Sequence, residues 1–212
     1  MTGRRTDRPT ALLIDLDGVL RRFDPARNAE VERDYGLPDG ALLATAMRPD
    51  LVRTVLLGQR RHAEWMADVA AELAGPAGGQ RPAREAVARW QAYRGEVDQE
   101  VLALLRELRA AGVPVGLATN ATDLLDADLD LLKLTGETDV VVSSAVLGVA
   151  KPAAEYFQRA CQAVGSPPAS TLFVDDDDRA VRGARAAGLP ALRWTGPTDL
   201  RYLRAALLPV HR

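Results

Sequence analysis

Cysteine, histidine, serine and lysine are all scarce in this chain of 212 residues. The single cysteine, Cys161, cannot close an intrachain disulfide or build a cysteine-type zinc site, and it indicates a reducing environment. The two histidines, His62 and His211, are too far apart in sequence for a HExxH zinc motif. None of the four serines stands in a GxSxG context, which excludes a serine-hydrolase elbow. We therefore expect any chemistry to depend on carboxylates.

The charge and the apolar runs exclude other classes of partner. The formal net charge is −2 at pH 7, so no basic field attracts nucleic acid or an anionic membrane. The apolar patch Ala11–Ile14 is too short for a signal peptide, and no longer apolar stretch has the length of a membrane span. Neither GxGxxG nor GxxxxGKS/T occurs, so both common nucleotide-binding glycine loops are absent. The sequence predicts a cytoplasmic protein without a nucleic-acid or membrane partner.

Five short apolar runs predict a parallel sheet. The middle three are continuous runs, which is typical of strands buried on both faces. Helices are predicted between the later runs, with Asp98 capping the first of them, and this alternation indicates an α/β fold with a doubly wound, Rossmann-like sheet. The predicted strands are Ala11–Asp15, Val113–Ala118, Val140–Ser143, Thr171–Val174 and Ala191–Trp194, and the predicted helices are Asp98–Ala111, Pro152–Val164 and Asp178–Ala187.

A long insertion follows the first strand. About 90 residues without a convincing strand separate it from the second, far more than a connecting loop needs. We therefore predict an α/β core formed by residues 1–22 and 97–212, and an inserted helical cap formed by residues 23–96. Helices of this cap are expected to begin at Asp24-Pro25, Asp39 and Arg48-Pro49 and to cover Arg60–Ala74 and Ala83–Tyr93.

Polar residues follow four of the predicted strands, at the edge where open α/β sheets bind ligands. Each group also has a plainer interpretation as a turn, a helix cap or a solvated side chain. Asp175 and Asp176 lie beside a buried strand end, where their two carboxylates would repel each other, and a divalent cation would remove that penalty. The groups are Asp15 with Asp17, Thr119 with Asn120, Lys151 with Pro152, and Asp175 with Asp176.

Lys151 stands out because the chain otherwise has almost only arginine as its cation. Lysine occurs at two positions among 27 basic residues, Lys133 and Lys151. A compact ammonium can pair with a phosphate or a carboxylate in a way that a planar guanidinium does not. Pro152 is expected to open the next helix and to hold Lys151 at the tip of its loop. Lys133 is near none of these four groups in the sequence and is predicted to be an ordinary surface residue.

Taken in order, these motifs resemble those of the haloacid dehalogenase (HAD) superfamily. The resemblance covers about residues 10–20 and 97–194, and the insertion resembles the C1-type helical cap of that superfamily. Its motif DxDG(T/V)L is matched by Asp15–Leu20, its second motif by Thr119, its third by Lys151-Pro152, and its fourth by Val174–Asp176 followed by GAxxAG at Gly183–Gly188.

The resemblance implies a Mg²⁺-dependent phosphatase that cleaves a small phosphorylated metabolite. In such enzymes the acid at Asp15 is a nucleophile that forms an aspartyl-phosphate, and the acid at Asp17 serves first as a general acid and then as a general base. Thr119, Asn120 and Lys151 would contact the phosphoryl group. The implied Mg²⁺ ligands are the Asp15 carboxylate, the Asp17 backbone carbonyl and Asp176, with Asp175 close by.

Several alternatives remain open at this point. Ala180 stands where many relatives carry asparagine, which leaves room for a weakly active protein that binds a ligand or partner. A phosphomutase shares the same core motifs. A phospho-receiver module is disfavoured, because no aspartate follows the middle strand Val140–Ser143. Neither the substrate nor the choice between monomer and homodimer follows from the sequence.

The predicted cap is expected to act as a lid that selects the substrate. Trp65 and Met66 are expected to pack inside the cap rather than against a ligand. The candidate contacts with the substrate are Arg21, Arg22, Arg48, Arg61 and His62.

Overall fold

Residues 8–208 are the part of the chain that the computed structural model describes, and His211 lies outside them. None of the helices in this range is both long and apolar enough to cross a bilayer. The strands are β1 (Ala11–Ile14), β2 (Arg21–Arg22), β3 (Glu96–Val97), β4 (Val115–Thr119), β5 (Val140–Ser143), β6 (Thr171–Asp175) and β7 (Ala191–Arg193). The helices are α1 (Pro25–Asp34), α2 (Ala41–Ala46), α3 (Pro49–Leu56), α4 (His62–Glu72), α5 (Gln80–Ala92), α6 (Gln99–Ala110), α7 (Leu125–Leu131), α8 (Ser144–Leu147), α9 (Ala154–Val164), α10 (Asp178–Ala186) and α11 (Leu200–Leu207).

Five strands form one parallel sheet in the order β5-β4-β1-β6-β7. They correspond to the five predicted runs, so the doubly wound α/β fold is confirmed. Leu12 and Ile14 of β1 pack with side chains of α6, α7 and α11, whereas Ala11 and Leu13 pack with side chains of α9 and α10. All four residues are fully buried. Both faces of the strand are therefore apolar, as a central parallel strand requires.

The start of β4 was predicted two residues too early. The Val113 N–H donates to Leu108 O at the end of α6, at 3.0 Å. Pro114 has no N–H to contribute to a ladder. The strand therefore begins at Val115 and extends to Thr119, which becomes its last residue.

Three predicted helix starts are wrong. The helix predicted from Ala83 begins at Gln80, and the starts predicted at Pro152 and Asp39 are displaced by other contacts. Pro152 does not open α9, because it lies in a turn closed by a hydrogen bond from Ala153 N–H to Ala150 O, at 3.0 Å. Asp39 does not cap α2. The Glu32 carboxylate accepts hydrogen bonds from Gly40 N–H (2.8 Å) and Leu42 N–H (2.9 Å) instead, so α2 begins at Ala41.

The insertion packs around an apolar cluster of its own. Trp65 and Met66 pack in this cluster, as predicted, but both also line the cavity that faces the core. Side chains from α1 to α5 complete the cluster. The chain enters and leaves the insertion through β2 and β3, which pair antiparallel with Arg21 opposite Val97. The proposed domain boundaries, after residues 22 and 96, lie at this two-stranded ribbon and remain a prediction.

Candidate active site

The carboxyl ends of β1, β4 and β6 are neighbours in the sheet, and they place Asp15, Thr119 and Asp175 around one crevice. Lys151 reaches the same crevice from the loop after α8. Its Nζ lies 2.8 Å from Asp15 Oδ1 and 2.6 Å from Asp175 Oδ2, and it donates a hydrogen bond to Ala118 O at 3.0 Å. The ammonium is therefore buried between two carboxylates.

Asn120 holds the backbone of Lys151 in place. Its Oδ1 accepts a hydrogen bond from Lys151 N–H (2.9 Å), and its Nδ2 donates to Lys151 O (3.1 Å). The restraint on Lys151 that was predicted for Pro152 thus comes from Asn120. Both ends of this amide are used by Lys151, and the predicted contact of Asn120 with the substrate remains a prediction.

The Asp15 carboxyl group is buried among charged side chains. Burial raises the pKa of its carboxyl from 3.8 to about 7. The Lys151 ammonium lowers this pKa, while the Asp175 charge raises it. Although Lys151 lies at ion-pair distance, Asp15 Oδ1 accepts no hydrogen bond of adequate angle from residues 8–208. The site therefore contains a buried carboxyl oxygen with an unused lone pair.

The acidic residues of the crevice fit a divalent cation. Asp15, Asp175 and Asp176 each offer a carboxylate oxygen, and these oxygens lie within 4.8 Å of one another. An all-oxygen ligand set of this kind suits Mg²⁺, and the unused lone pair of Asp15 is available to it. Asp175 already accepts hydrogen bonds from Asp177 N–H (2.8 Å) and from Lys151 Nζ. Asp15 and Asp176 are therefore better placed to coordinate the cation directly.

Gly18 gives Asp176 its place beside the first motif. A Cβ at Gly18 would lie 2.2 Å from Asp176 Oδ2, and the backbone φ of +86° favours glycine there. Burial and the charge of Asp175 raise the pKa of Asp176. A bound cation would offset both effects, which agrees with a metal-binding role for this carboxylate.

Asp17 lies at the edge of the crevice in a network of ion pairs. Arg21 binds both of its oxygens, with Nε 2.5 Å from Oδ1 and Nη2 3.0 Å from Oδ2. Arg21 also donates to Asp128 Oδ2 (2.9 Å), and Arg94 donates to both oxygens of Asp128 (2.8 and 2.5 Å). Burial raises the pKa of Asp128, but the bonds from Arg94 and Arg21 outweigh it, so this pKa is lowered. Asp128 and Arg94 were not predicted from the sequence, because neither follows a predicted core strand or belongs to a motif.

A cavity of about 430 Å³ extends from Asp15 and Thr119 to the helical insertion. Of the predicted contacts from the cap side, Arg21 and His62 line it. The other three, Arg22, Arg48 and Arg61, do not line it. Arg22 pairs with Asp98, and Arg48 pairs with acids of the insertion itself. These ion pairs balance the charges of Arg22 and Arg48, so a ligand is not needed to account for either side chain.

The comparison with known proteins agrees with this geometry. The family profile described as haloacid dehalogenase-like hydrolase matches residues 9–188. This chain belongs to that family. As a HAD-like hydrolase it is 34% identical over 196 residues to "Phosphatase MT3486" of Mycobacterium tuberculosis (strain CDC 1551 / Oshkosh), covering 86% of this chain and 85% of that protein.

Two further comparisons place this HAD-like hydrolase among its relatives. It is 29% identical over 198 residues to a ribulose-1,5-bisphosphate 5-phosphatase of Halopiger xanaduensis (strain DSM 18323 / JCM 14033 / SH-6), covering 85% of this chain and 82% of that protein. The wild-type HAD family enzyme BT-2542 of Bacteroides thetaiotaomicron, solved with magnesium and inorganic phosphate, superposes with a TM-score of 0.70 at 22% identity. That superposition covers 92% of this chain and 98% of the solved chain, and it establishes a common fold.

Proposed function

We propose that this HAD-like hydrolase is a Mg²⁺-dependent phosphatase that cleaves a small phosphomonoester through an aspartyl-phosphate on Asp15. The observation that carries the proposal is the buried Asp15 carboxylate beside Lys151, with an oxygen that accepts no hydrogen bond from the described residues. Such a carboxylate is suited to attack phosphorus, provided that cations offset its repulsion from the phosphate. The phosphatase names of the two curated relatives support the same reaction type.

The reaction would proceed in two displacements at phosphorus. In the first, a carboxylate oxygen of Asp15 attacks the phosphorus, the bond to the ester oxygen breaks, and Asp17 gives its proton to that leaving oxygen. In the second, Asp17 takes a proton from water, and the water oxygen attacks the phosphorus of the aspartyl-phosphate. The bond between Asp15 and phosphorus then breaks, inorganic phosphate leaves, and both carboxyl groups return to their starting states.

Other residues would hold the phosphoryl group during these steps. Lys151 would offset negative charge on Asp15 and on the transferring group, and Thr119, which is buried at the wall of the crevice, would donate a hydrogen bond to a phosphoryl oxygen. Mg²⁺, held by the Asp15 carboxylate, the Asp17 carbonyl and Asp176, would neutralise charge on the phosphoryl oxygens. Asp175 would act through its bond to Lys151.

The acid at position 17 favours ester cleavage over dehalogenation. An alkoxide leaving group needs a proton, whereas a halide leaves as a stable anion. A carboxyl group at the edge of the crevice is therefore useful to a phosphatase and has no comparable role in carbon–halogen cleavage.

Hydrolysis of p-nitrophenyl phosphate by the purified chain tests this proposal. We expect release of p-nitrophenol with Mg²⁺, loss of the activity with EDTA, and recovery when Mg²⁺ is returned. Asp15→Asn should lower kcat by about a thousandfold or more, because the amide is a poor nucleophile.

Asp178→Asn is the matched control for charge, because Asp178 pairs with Arg182 on the surface. It should leave the rate within about twofold of wild type. An Asp15→Asn protein that turned over substrate at the wild-type rate would refute the mechanism.

A further inference from the structure

We propose that the natural substrate is a monophosphate ester with an apolar hydrocarbon body and no second anionic group. This inference deepens the phosphatase function proposed above and rests on it. It concerns the part of the cavity beyond the phosphate site, where the insertion faces the core. The body of an ester bound at Asp15 must extend into this space, so its lining determines which bodies bind favourably.

The wall that the insertion contributes is mainly apolar. Three of the seven large apolar side chains that are exposed within residues 8–208 lie around this one cavity. They are Phe23, Leu43 and Met47, with exposed fractions of 43%, 51% and 52%. Exposed apolar side chains that cluster around a concave site indicate an apolar ligand. Deeper in the cavity the wall is continued by Val52, Leu56 and Trp65.

The ring nitrogens of the side chains in this wall already have protein partners. Trp65 Nε1 donates to Ala46 O (3.1 Å), and Trp90 Nε1 donates to Asn28 Oδ1 (3.0 Å). Both ring nitrogens of His62 are similarly engaged, Nε2 with Gln91 Oε1 (2.8 Å) and Nδ1 with Thr122 Oγ1 (3.2 Å). These rings therefore offer a ligand mainly carbon surface, and hydroxyl groups of a ligand that faced them would lack hydrogen-bond partners.

The cations of the cavity leave no charge for a second anionic group. Among the described residues, the arginines and lysines that line it are Arg21, Arg94 and Lys151. Arg21 is paired with Asp17 and Asp128, Arg94 with Asp128, and Lys151 with Asp15 and Asp175. Burial lowers the pKa of His62, so this ring is neutral near pH 7. A second phosphate or a carboxylate on the substrate would thus be desolvated without a free cation to pair with.

A homologous series of alkyl phosphates tests the inference on the full chain with Mg²⁺. We expect kcat/KM to rise by about threefold for each added methylene from ethyl to hexyl phosphate, until the cavity is filled. A carboxylate at the far end of the hexyl chain should abolish that gain, and glucose 6-phosphate should be a poorer substrate than hexyl phosphate.

Variants of the apolar wall connect this preference to the cavity. Leu43→Gln should lower the ratio of kcat/KM for hexyl over ethyl phosphate by about fivefold, and Met47→Gln should act in the same direction. Leu131→Gln is the control, because Leu131 is also exposed, at 64%, but lies outside the cavity lining. It should leave the ratio unchanged.

The possible outcomes distinguish the proposed substrate class from the proposed phosphatase function on which it rests. The proposal of an apolar substrate would be overturned if kcat/KM did not change along the alkyl series, or if it were higher for sugar phosphates or for the carboxylated ester. The phosphatase function would still stand. If no ester were hydrolysed, p-nitrophenyl phosphate included, the result would refute the phosphatase function, and the proposed substrate class would be refuted with it.

Discussion

Lys151 lies at a position where the chemistry of lysine is needed. Its single nitrogen is within 3.0 Å of oxygens of Asp15, Ala118 and Asp175 in a buried space. A guanidinium spreads its donors over a plane and requires more room. The chain has arginine at nearly all its other basic positions, and the geometry supplies the reason for this exception.

We predict that Lys151→Arg lowers kcat for p-nitrophenyl phosphate by about a hundredfold, because the misplaced charge no longer offsets that of Asp15 and the phosphoryl group. The same exchange at the exposed Lys133 is the control and should be neutral. Equal rates for both variants would contradict a specific role for the ammonium at position 151.

The raised pKa of Asp15 has a consequence for stability. With no metal bound, the folded protein keeps a proton on Asp15 up to about pH 7, whereas the unfolded chain loses it near 3.8. The stabilisation from this group is therefore fully present below about pH 4 and is lost as the pH rises through about 7.

Mg²⁺ binds the ionised form of Asp15, so protons compete with it at low pH. We predict that Mg²⁺ raises Tm more at pH 8 than at pH 5, as measured by thermal unfolding at matched ionic strength. Asp176→Asn should reduce the gain at pH 8, whereas Asp178→Asn should retain it. An equal gain at both pH values would argue against coordination by Asp15.

At the scale of elements, three segments meet at Asp128. Arg21 comes from β2, Arg94 follows α5, and Asp128 lies on α7 of the core. The two connections to the insertion are therefore bound to the same core helix. Asp128 is buried, and without it two nearby guanidinium groups would face each other without a shared counter-charge.

We predict that Asp128→Asn lowers the free energy of unfolding in urea by about 3 kcal/mol, since it removes one partner of a buried ion pair. Asp126→Asn, an exposed change on the same helix, should lower it by less than about 0.5 kcal/mol. A loss at Asp128 no larger than that at Asp126 would show that the network contributes little to stability.

Helix starts were predicted well where the capping side chain lies within a few residues of the helix start in the sequence. Asp24, Asp98 and Asp177 each accept hydrogen bonds from backbone N–H groups two or three residues ahead, and their helices begin where predicted or within one residue. The start of α2 is instead set by Glu32, which lies eight residues before Gly40. The loop before α9 is held by Asn120, 31 residues before Lys151. Propensity patterns contain no information about contacts of this length.

At the scale of the whole molecule, the insertion and the core touch closely at Gly58. This residue follows α3, and a Cβ there would lie 2.1 Å from the Ala145 carbonyl oxygen on α8. Val52 and Leu56 of α3 line the cavity. Displacing α3 from α8 would therefore also change the shape of the substrate site.

We predict that Gly58→Ala lowers both Tm and kcat/KM. Gly78→Ala is the matched control, because Gly78 has a similar left-handed φ (+76° against +69°) but no atom near the position of a Cβ. It should cost about 1 kcal/mol of stability and leave kcat/KM unchanged. If the two variants behaved alike, the contact with Ala145 would not position the insertion.

The sequence by itself determined the five core strands, the helical nature of the insertion, and the placing of Asp15, Thr119, Lys151 and Asp175 at one edge of the sheet. These follow from local patterns, because continuous apolar runs predict buried parallel strands, and the carboxyl ends of such strands share an edge. Only the tertiary structure decided that Arg21 binds Asp17 and Asp128, which is 107 positions away. It also decided that Asn120 holds Lys151, and that the cavity under the insertion is apolar with its cations already paired. Each of these depends on side chains from distant segments, and their meeting is set by the packing of the insertion on the core.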